Sequence, residues 1–479
     1  MRDELARLLR HSAIYGLAGL ASRIASVLLL PFLTRALEPS SYGRIETMVA
    51  LIALLVPLLR AGVATAFFRF YYERELAPDR DLVVRTSFWF TMLGAGVGLA
   101  VGLTAAPAIA SFLAGDAAYA NLVRVAFAML AVQLLYEQLT ALYRVEERSI
   151  AFTVASLANL VVTVVATIVA VFVLGGGATG ALAGNAFGTA VGLVVLIGQR
   201  RAAQRPAFDR DLVRQMNRFG LPLLPVGLAI WVVDFADRLM LGRIADQHEV
   251  GLYAVGVKIA SAMVLVQLAF RTAWPAFAYS LEEGTEARRT FAYVLTYTSL
   301  VGCWLSLTLG LLAPWLVDLL AAPAFAPAAS VVAPLAFSGA LLVAYTTLSI
   351  AASRANRTDR YWQVAVAGAV VNILLNLLLI PRFGMEGAAT ATVAAYAVLA
   401  GGMALLAQRV YPVPYEWRRL TLAVAVGAAL YAAGRLADVP LAAALGLAAA
   451  YPVVLGALGF YQPAERRRLV ALAARMRPR

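Results

Sequence analysis

Residues 150–174 read IAFTVASLANLVVTVVATIVAVFVL and contain no charged side chain. An α-helix needs about 20 consecutive apolar residues to cross the roughly 30 Å hydrocarbon layer of a bilayer, so this run is long enough to span a membrane. Three glycines follow at 175–177, and a second apolar run begins at Ala178. Because glycine clusters interrupt helices, the stretch predicts two membrane-spanning helices joined by a tight turn.

The same pattern extends over the whole chain. Of its 479 residues, 62% are hydrophobic and only 14% are charged, and the mean hydropathy is +0.79. Soluble proteins carry roughly 25% charged residues, so this composition excludes a soluble multidomain protein. Irregular backbone cannot replace helices in lipid. The sequence therefore predicts an all-α, polytopic membrane protein with fourteen transmembrane helices. The predicted spans are approximately 13–35, 45–67, 84–112, 121–143, 150–174, 178–199, 219–243, 250–279, 290–318, 328–351, 361–380, 386–408, 418–436 and 440–461.

Basic residues are distributed unequally between the two sides that these spans define. One side, which includes both termini, collects most of the arginines, whereas the other holds only Arg35, Arg44, Arg243, Arg382 and Arg435. Cytoplasmic connections retain Lys and Arg, so both termini are predicted to be cytoplasmic. The net charge of +13 is carried by these short connections rather than by a polar domain. It therefore favours anionic phospholipids over nucleic acid as the partner.

The two halves of the chain resemble each other weakly. Arg60 in the second predicted span corresponds to Arg271 in the eighth, and Asn159 in the fifth corresponds to Asn372 in the eleventh, at nearly the same spacing. Such internal repeats are typical of transporters. Two six-helix lobes and two extra helices are therefore predicted. Their limits are 1–199 for the N-terminal lobe, 200–218 for a cytoplasmic amphipathic linker, 219–411 for the C-terminal lobe, and 412–479 for the extra helices and a basic cytoplasmic tail.

Several basic residues lie inside the apolar runs. A charged side chain costs at least about 2.5 kcal/mol at the centre of a bilayer, so each of them must face protein, water or a substrate path. Arg60 and Arg271 occupy equivalent places in the two halves, as matched sides of a central cavity would. The residues predicted to form a cationic, substrate-binding cavity are Arg23, Arg60, Arg238, Lys258 and Arg271. Extension of these side chains to the nearer interface is the alternative for Arg60, Arg271 and Lys258.

The acids within the predicted spans are Glu46, Glu137, Asp234, Asp237 and Asp318. Glu137, Asp234 and Asp237 are the candidates for ion coupling. Asp234 also lies four residues before Arg238, so a local helical ion pair is an equal alternative. Glu137 could instead be a hydrogen-bonded structural acid or could position a basic residue.

No enzyme signature accompanies these features. The chain has two histidines and one cysteine, Cys303, so neither a catalytic zinc site nor a disulfide within the chain is expected. It lacks a phosphate-binding Gly-rich loop, an HExxH motif and a GxSxG motif. We therefore predict a non-enzymatic protein without a cofactor or metal, powered by a membrane potential, an ion gradient or the gradient of its own substrate.

Three short motifs resemble those of a known family. Residues 31–43 (PFLTRALEPSSYG) resemble the proline, arginine, leucine and Tyr-Gly signature of bacterial polysaccharide-unit flippases. Similar matches are 237–238 (DR) with 250–253 (VGLY), and Asn372 and Asn376 with 380–384 (IPRFG) and 387–389 (GAA). This family is the lipid-linked oligosaccharide branch of the multidrug, oligosaccharidyl-lipid and polysaccharide exporter superfamily.

The resemblance implies fourteen helices, two lobes, a cationic central cavity and alternating access in a bacterial plasma membrane. It also implies movement of an undecaprenyl-diphosphate-linked oligosaccharide repeat unit to the outer leaflet, for O-antigen or exopolysaccharide biosynthesis. Guanidinium groups suit a diphosphate because they donate paired hydrogen bonds to phosphate oxygens. A lipid II flippase, a multidrug exporter of the same superfamily and a membrane-embedded glycan polymerase remain as alternatives. An exporter of cationic drugs would favour acids over arginines around its cavity.

Overall fold

A computed structural model describes residues 26–73, 79–200, 205–354 and 360–463, together with Glu465 and Arg467. Within these ranges the chain forms helices, and no β-strand is present. The α-helices are α1 Leu30–Ala36, α2 Pro39–Arg60, α3 Val63–Tyr72, α4 Arg80–Thr104, α5 Ala106–Leu113, α6 Ala120–Val145, α7 Ser149–Ile168, α8 Gly177–Gln199, α9 Arg210–Gly220, α10 Leu224–Trp231, α11 Asp237–Ile244, α12 Gln247–Ala260, α13 Met263–Ser280, α14 Thr285–Leu320, α15 Ala329–Arg354, α16 Tyr361–Val410, α17 Trp417–Leu436 and α18 Leu441–Ala457.

The predicted all-α, polytopic membrane architecture is confirmed. Among the described residues, ten helical segments are long and apolar enough to cross a membrane. One of them, α16, is divided at Gly384, whose backbone is non-helical at φ 52 and ψ −130. The predicted spans 361–380 and 386–408 lie on either side of this residue. The count of fourteen stays a prediction, since residues 13–25 of the first predicted span lie outside the described ranges.

Helix α2 ends sooner than the sequence predicts. The predicted span 45–67 is interrupted by Ala61 and Gly62, which have φ angles of 44 and 81. A Cβ atom at Gly62 would lie 2.4 Å from the carbonyl carbon of Gly220, so only glycine permits this backbone contact. The predicted span 250–279 is likewise divided at residues 261–262, between α12 and α13.

Two π turns widen the helices locally. One, Val169–Val173, extends α7, and the other, Val232–Ala236, joins α10 to α11 directly before Asp237. Such insertions of a residue into an α-helix are rare overall, and those that occur often lie at functional sites.

By their internal contacts the helices divide into two units. The first is drawn from Met1–Lys258, Asp318–Ala328 and Ala365–Ala395. One of its buried clusters includes Phe67, Phe88, Tyr143 and Met216. The second is drawn from Ile259–Val317, Ala329–Val364 and Tyr396–Arg479. It contains one buried cluster around Trp274 and Phe291, and another around Cys303 and Tyr451. The two sequence-related lobes at 1–199 and 219–411 stay a prediction.

The predicted linker 200–218 contains a helix with opposed apolar and basic faces. Asp209 caps the start of α9, because its carboxylate accepts hydrogen bonds from the backbone N–H groups of Asp211 and Leu212. Leu212 and Met216 are buried in the core of the first unit, whereas Arg214 is exposed. The location of α9 on the cytoplasmic surface stays a prediction.

Candidate functional site

Four charged residues within the helices of the first unit form one cluster. Lys258 Nζ lies 2.8 Å from Glu46 Oε1, and Arg238 Nη1 lies 3.4 Å from Asp237 Oδ1. Arg238 also acts electrostatically on Glu46. Glu46, Asp237 and Arg238 are each at most 7% exposed. Two acids balance two bases, which lets four charges be buried together. We call these four residues the charge cluster.

Neutral polar groups complete this cluster and join four helices. The Tyr253 hydroxyl donates a hydrogen bond to Asp237 Oδ2, and Thr392 Oγ1 lies 3.5 Å from the same oxygen. Lys258 also donates to the Tyr42 hydroxyl. The cluster therefore connects α2, α11 and α12 with the second half of α16.

The first turns of α2 and α12 touch backbone to backbone. A Cβ atom at Gly43 would lie 1.8 Å from the carbonyl oxygen of Gln247, and one at Gly251 would lie 2.0 Å from that of Pro39. Thr47 Oγ1 donates to Gln247 Oε1 at 2.9 Å. We call this contact the α2–α12 seam. Such close approach requires glycine on both helices, as is common where helices pack within membranes.

Arg60 belongs to a separate ion pair at the other end of α2. Its Nη1 donates to Glu137 Oε2 at 3.1 Å, and its Nη2 donates to Gln138 Oε1 at 3.0 Å. Gln133 holds the second Glu137 oxygen at 2.9 Å. Arg60 is only 8% exposed. Glu137 therefore fixes the position of a basic residue, and its role in ion coupling stays a prediction.

Arg238 contacts both Asp234 and Asp237. Arg238 Nη1 donates to the main-chain oxygen of Asp234 at 2.7 Å, while the carboxylate beside its guanidinium is that of Asp237. Asp234 also acts electrostatically on Arg238, and the local helical ion pair between them stays a prediction.

The remaining predicted cavity residues are Arg271 and Arg23. Arg271 is exposed on α13 in the second unit. Arg23 lies outside the described residues. A shared cavity that includes both of them therefore stays a prediction. Among the described residues, no group of three His, Cys, Asp or Glu side chains could hold a metal ion.

Arg419 is a further buried cation, at the start of the predicted span 418–436. Its Nη1 lies 2.7 Å from Glu416 Oε2, and its Nη2 lies 3.0 Å from Glu465 Oε2. Nη2 also donates to the Tyr297 hydroxyl at 3.3 Å, which connects α17 to α14. The only local signal for this site is the spacing of three residues between Glu416 and Arg419.

Solved structures share this arrangement of helices at low sequence identity. A lipid II flippase, MurJ, in an inward closed conformation aligns with a TM-score of 0.73 and 12% identity over 96% of this chain and 100% of that chain. An inward-facing multidrug transporter of the MATE family aligns with a TM-score of 0.66 and 16% identity over 85% of this chain and 94% of that chain. At these identities the comparison establishes the fold.

Curated relatives match shorter stretches. A protein of the Lsg locus of Haemophilus influenzae is 32% identical over 90 residues, which are 18% of this chain and 21% of that protein. An uncharacterised membrane protein of Methanocaldococcus jannaschii is 22% identical over 204 residues, 41% of this chain and 40% of that protein. The chain thus matches about one fifth of the length of the Haemophilus protein and about two fifths of the length of the Methanocaldococcus protein.

The family comparison covers more of the sequence. The profile of a family described as polysaccharide biosynthesis protein matches residues 32–330, which include α2, both π turns and the whole charge cluster. Because this match extends over more than half of the chain, the protein belongs to the polysaccharide biosynthesis protein family.

Proposed function

We propose that the protein is a flippase for an undecaprenyl-diphosphate-linked oligosaccharide repeat unit. It moves this lipid by alternating access from the cytoplasmic to the outer leaflet of the bacterial plasma membrane, for surface polysaccharide biosynthesis. Family membership supports the glycan, and the fold shared with a lipid II flippase supports a lipid-linked substrate.

The observation that carries the proposal is the set of basic side chains buried within apolar helices. Arg60, Arg238 and Lys258 are each paired with a carboxylate in the described structure. Phosphate oxygens accept the same charge-assisted hydrogen bonds as carboxylate oxygens, so a diphosphate can replace these partners. In this proposal Arg23, Arg60, Arg238, Lys258 and Arg271 bind the diphosphate, and Glu137, Asp234 and Asp237 are available for ion coupling.

Orientation is part of the same proposal. Both termini lie in the cytoplasm, and the arginine-rich connections face anionic phospholipids of the inner leaflet. Exposed Arg214 and Arg218 on α9 are well suited to that contact.

The test is flipping of a fluorescent undecaprenyl-diphosphate-linked oligosaccharide by purified protein in proteoliposomes. Arg60→Ala and Arg271→Ala should each insert normally and reduce the flipping rate by about tenfold or more, since a hydrogen bond to a charged group contributes about 1.5 to 3 kcal/mol. Arg69→Ala is the matched control, because Arg69 is exposed and paired with Glu73; its rate should stay near that of the parent.

Substrate competition separates the alternatives. Transport of lipid II in place of the oligosaccharide lipid would make lipid II the substrate and would leave the proposed diphosphate site unchanged. Transport of a cationic drug, with no effect of either arginine substitution, would contradict the diphosphate site. Extension of a glycan chain by the purified protein would replace the proposal with a polymerase.

A further inference from the structure

The charge cluster and the α2–α12 seam meet at Glu46. Thr47, the next residue, donates to Gln247 across the seam, and Gly43, three residues earlier, lies against the α12 backbone. One turn after Glu46, the main-chain oxygen of Ala50 accepts a hydrogen bond from the Trp231 indole at 3.3 Å. Glu46 is thus a carboxylate buried in the surface along which α2 meets its neighbours.

Three groups face this carboxylate. Lys258 approaches it from α12, Arg238 acts on it from α11, and Tyr42 lies one turn before it on α2 itself. The ion pair with Lys258 at 2.8 Å stabilises the ionised carboxylate while the helices are in contact. If α12 moved away from α2, Lys258 would leave, and the carboxylate would remain on an apolar helix, where the neutral form is favoured.

From this geometry we infer that Glu46 is a proton-binding site whose pairing with Lys258 couples proton uptake to opening of the α2–α12 seam. A proton binds Glu46 when the seam opens and leaves when Lys258 returns. Cytoplasmic connections are the arginine-rich ones, and the N-terminal end of α2 lies on the arginine-poor side, beside Arg35 and Arg44. The predicted orientation therefore places this end of α2 outside the cell. The proton is therefore exchanged with the outside, and a low pH there favours the open seam and release of substrate outward. The purpose of this coupling rests on the proposed flippase function, although the seam can be tested without any substrate.

A single-cysteine reporter provides the test. Cys303 is the only cysteine in the chain, so Cys303→Ala gives a cysteine-free parent. Ala254 lies on α12 and is 1% exposed. Because maleimides react with the thiolate, each labelling rate is divided by the rate of the same variant in denaturant at the same pH. In sealed, right-side-out vesicles, this relative rate of Ala254→Cys with a membrane-impermeant maleimide should be low at about pH 7.5 and higher at about pH 5.5, where buried carboxyl groups take up protons.

Replacement of the carboxylate should remove this pH dependence. Glu46→Gln should raise the labelling rate at both pH values, by about tenfold or more, because a buried ion pair with one partner removed is strongly destabilised. Glu386→Gln is the matched control. Glu386 is exposed near Gly384, outside the charge cluster, and its variant should label like the parent.

The reversed pair, Glu46→Lys with Lys258→Glu, separates loss of the ion pair from damage to the fold. It should restore slow labelling at about pH 7.5 and the increase at about pH 5.5. Labelling of the parent that is insensitive to pH would overturn the inference, as would slow, pH-dependent labelling of Glu46→Gln. If labelling responds as expected while the oligosaccharide lipid is not flipped, the proposed substrate is wrong and the role of Glu46 stands.

Discussion

Arg60 donates from both Nη atoms to side chains of α6, and Glu137, its charged partner, is 34% exposed. Because protein encloses this carboxylate only in part, Arg60→Ala should cost about 1 to 3 kcal/mol of unfolding free energy, rather than the roughly 3 to 5 kcal/mol of a fully buried pair. The double variant Arg60→Met/Glu137→Gln should be more stable than Arg60→Ala, since no uncompensated charge remains. Thermal unfolding in detergent measures both.

An exposed pair on the adjoining helix is the control for this comparison. Arg69 and Glu73 lie 3.0 Å apart with side chains 42% and 50% exposed. Arg69→Ala should therefore cost less than about 0.5 kcal/mol. Equal losses for Arg60→Ala and Arg69→Ala would show that burial of the Arg60 pair does not contribute to stability.

Helix contact at the α2–α12 seam depends on two glycines, one on each helix. Gly43→Ala and Gly251→Ala would place Cβ atoms 1.8 Å and 2.0 Å from opposing carbonyl oxygens, so the helices must separate. Each substitution should cost about 1 to 3 kcal/mol, as overpacking does elsewhere, and should raise labelling of the Ala254→Cys reporter. A Cβ atom at Gly198 would meet no neighbouring atom within 4 Å, so Gly198→Ala is the control. Unchanged labelling in both seam variants would mean that the helices can part locally without exposing α12.

Membrane potential acts on the molecule as a whole. A diphosphate with roughly two negative charges gains about 2.3 kcal/mol per charge for each 100 mV when it moves outward across a membrane that is negative inside. We expect flipping in proteoliposomes to be faster under a potassium-diffusion potential that is negative on the cytoplasmic side, with the pH gradient clamped. Equal rates under potentials of either sign would leave ion coupling or a substrate gradient as the energy source.

The apolar runs predicted the helices closely because lipid leaves the backbone few alternatives. The predicted spans 121–143 and 178–199 correspond to Ala120–Val145 and Gly177–Gln199. The interruption after Arg60 was missed, since its cause is the contact of Gly62 with Gly220, far along the chain. The sequence also indicated that Arg60, Arg238 and Lys258 required partners within the protein or a water-filled path. It could not identify Glu46 as the partner of Lys258, because no local spacing connects residues on α2 and α12.

Lys258 is the only lysine in the sequence, and its ammonium group is held between Glu46 and Tyr42. The side chains therefore offer acylating reagents a single primary amine, and that amine lies inside the charge cluster. Acylation would remove its positive charge and leave Glu46 without its nearest cation. Reagents that modify the abundant surface lysines of most proteins would here act on one side chain, and their reaction would report how often α12 leaves α2.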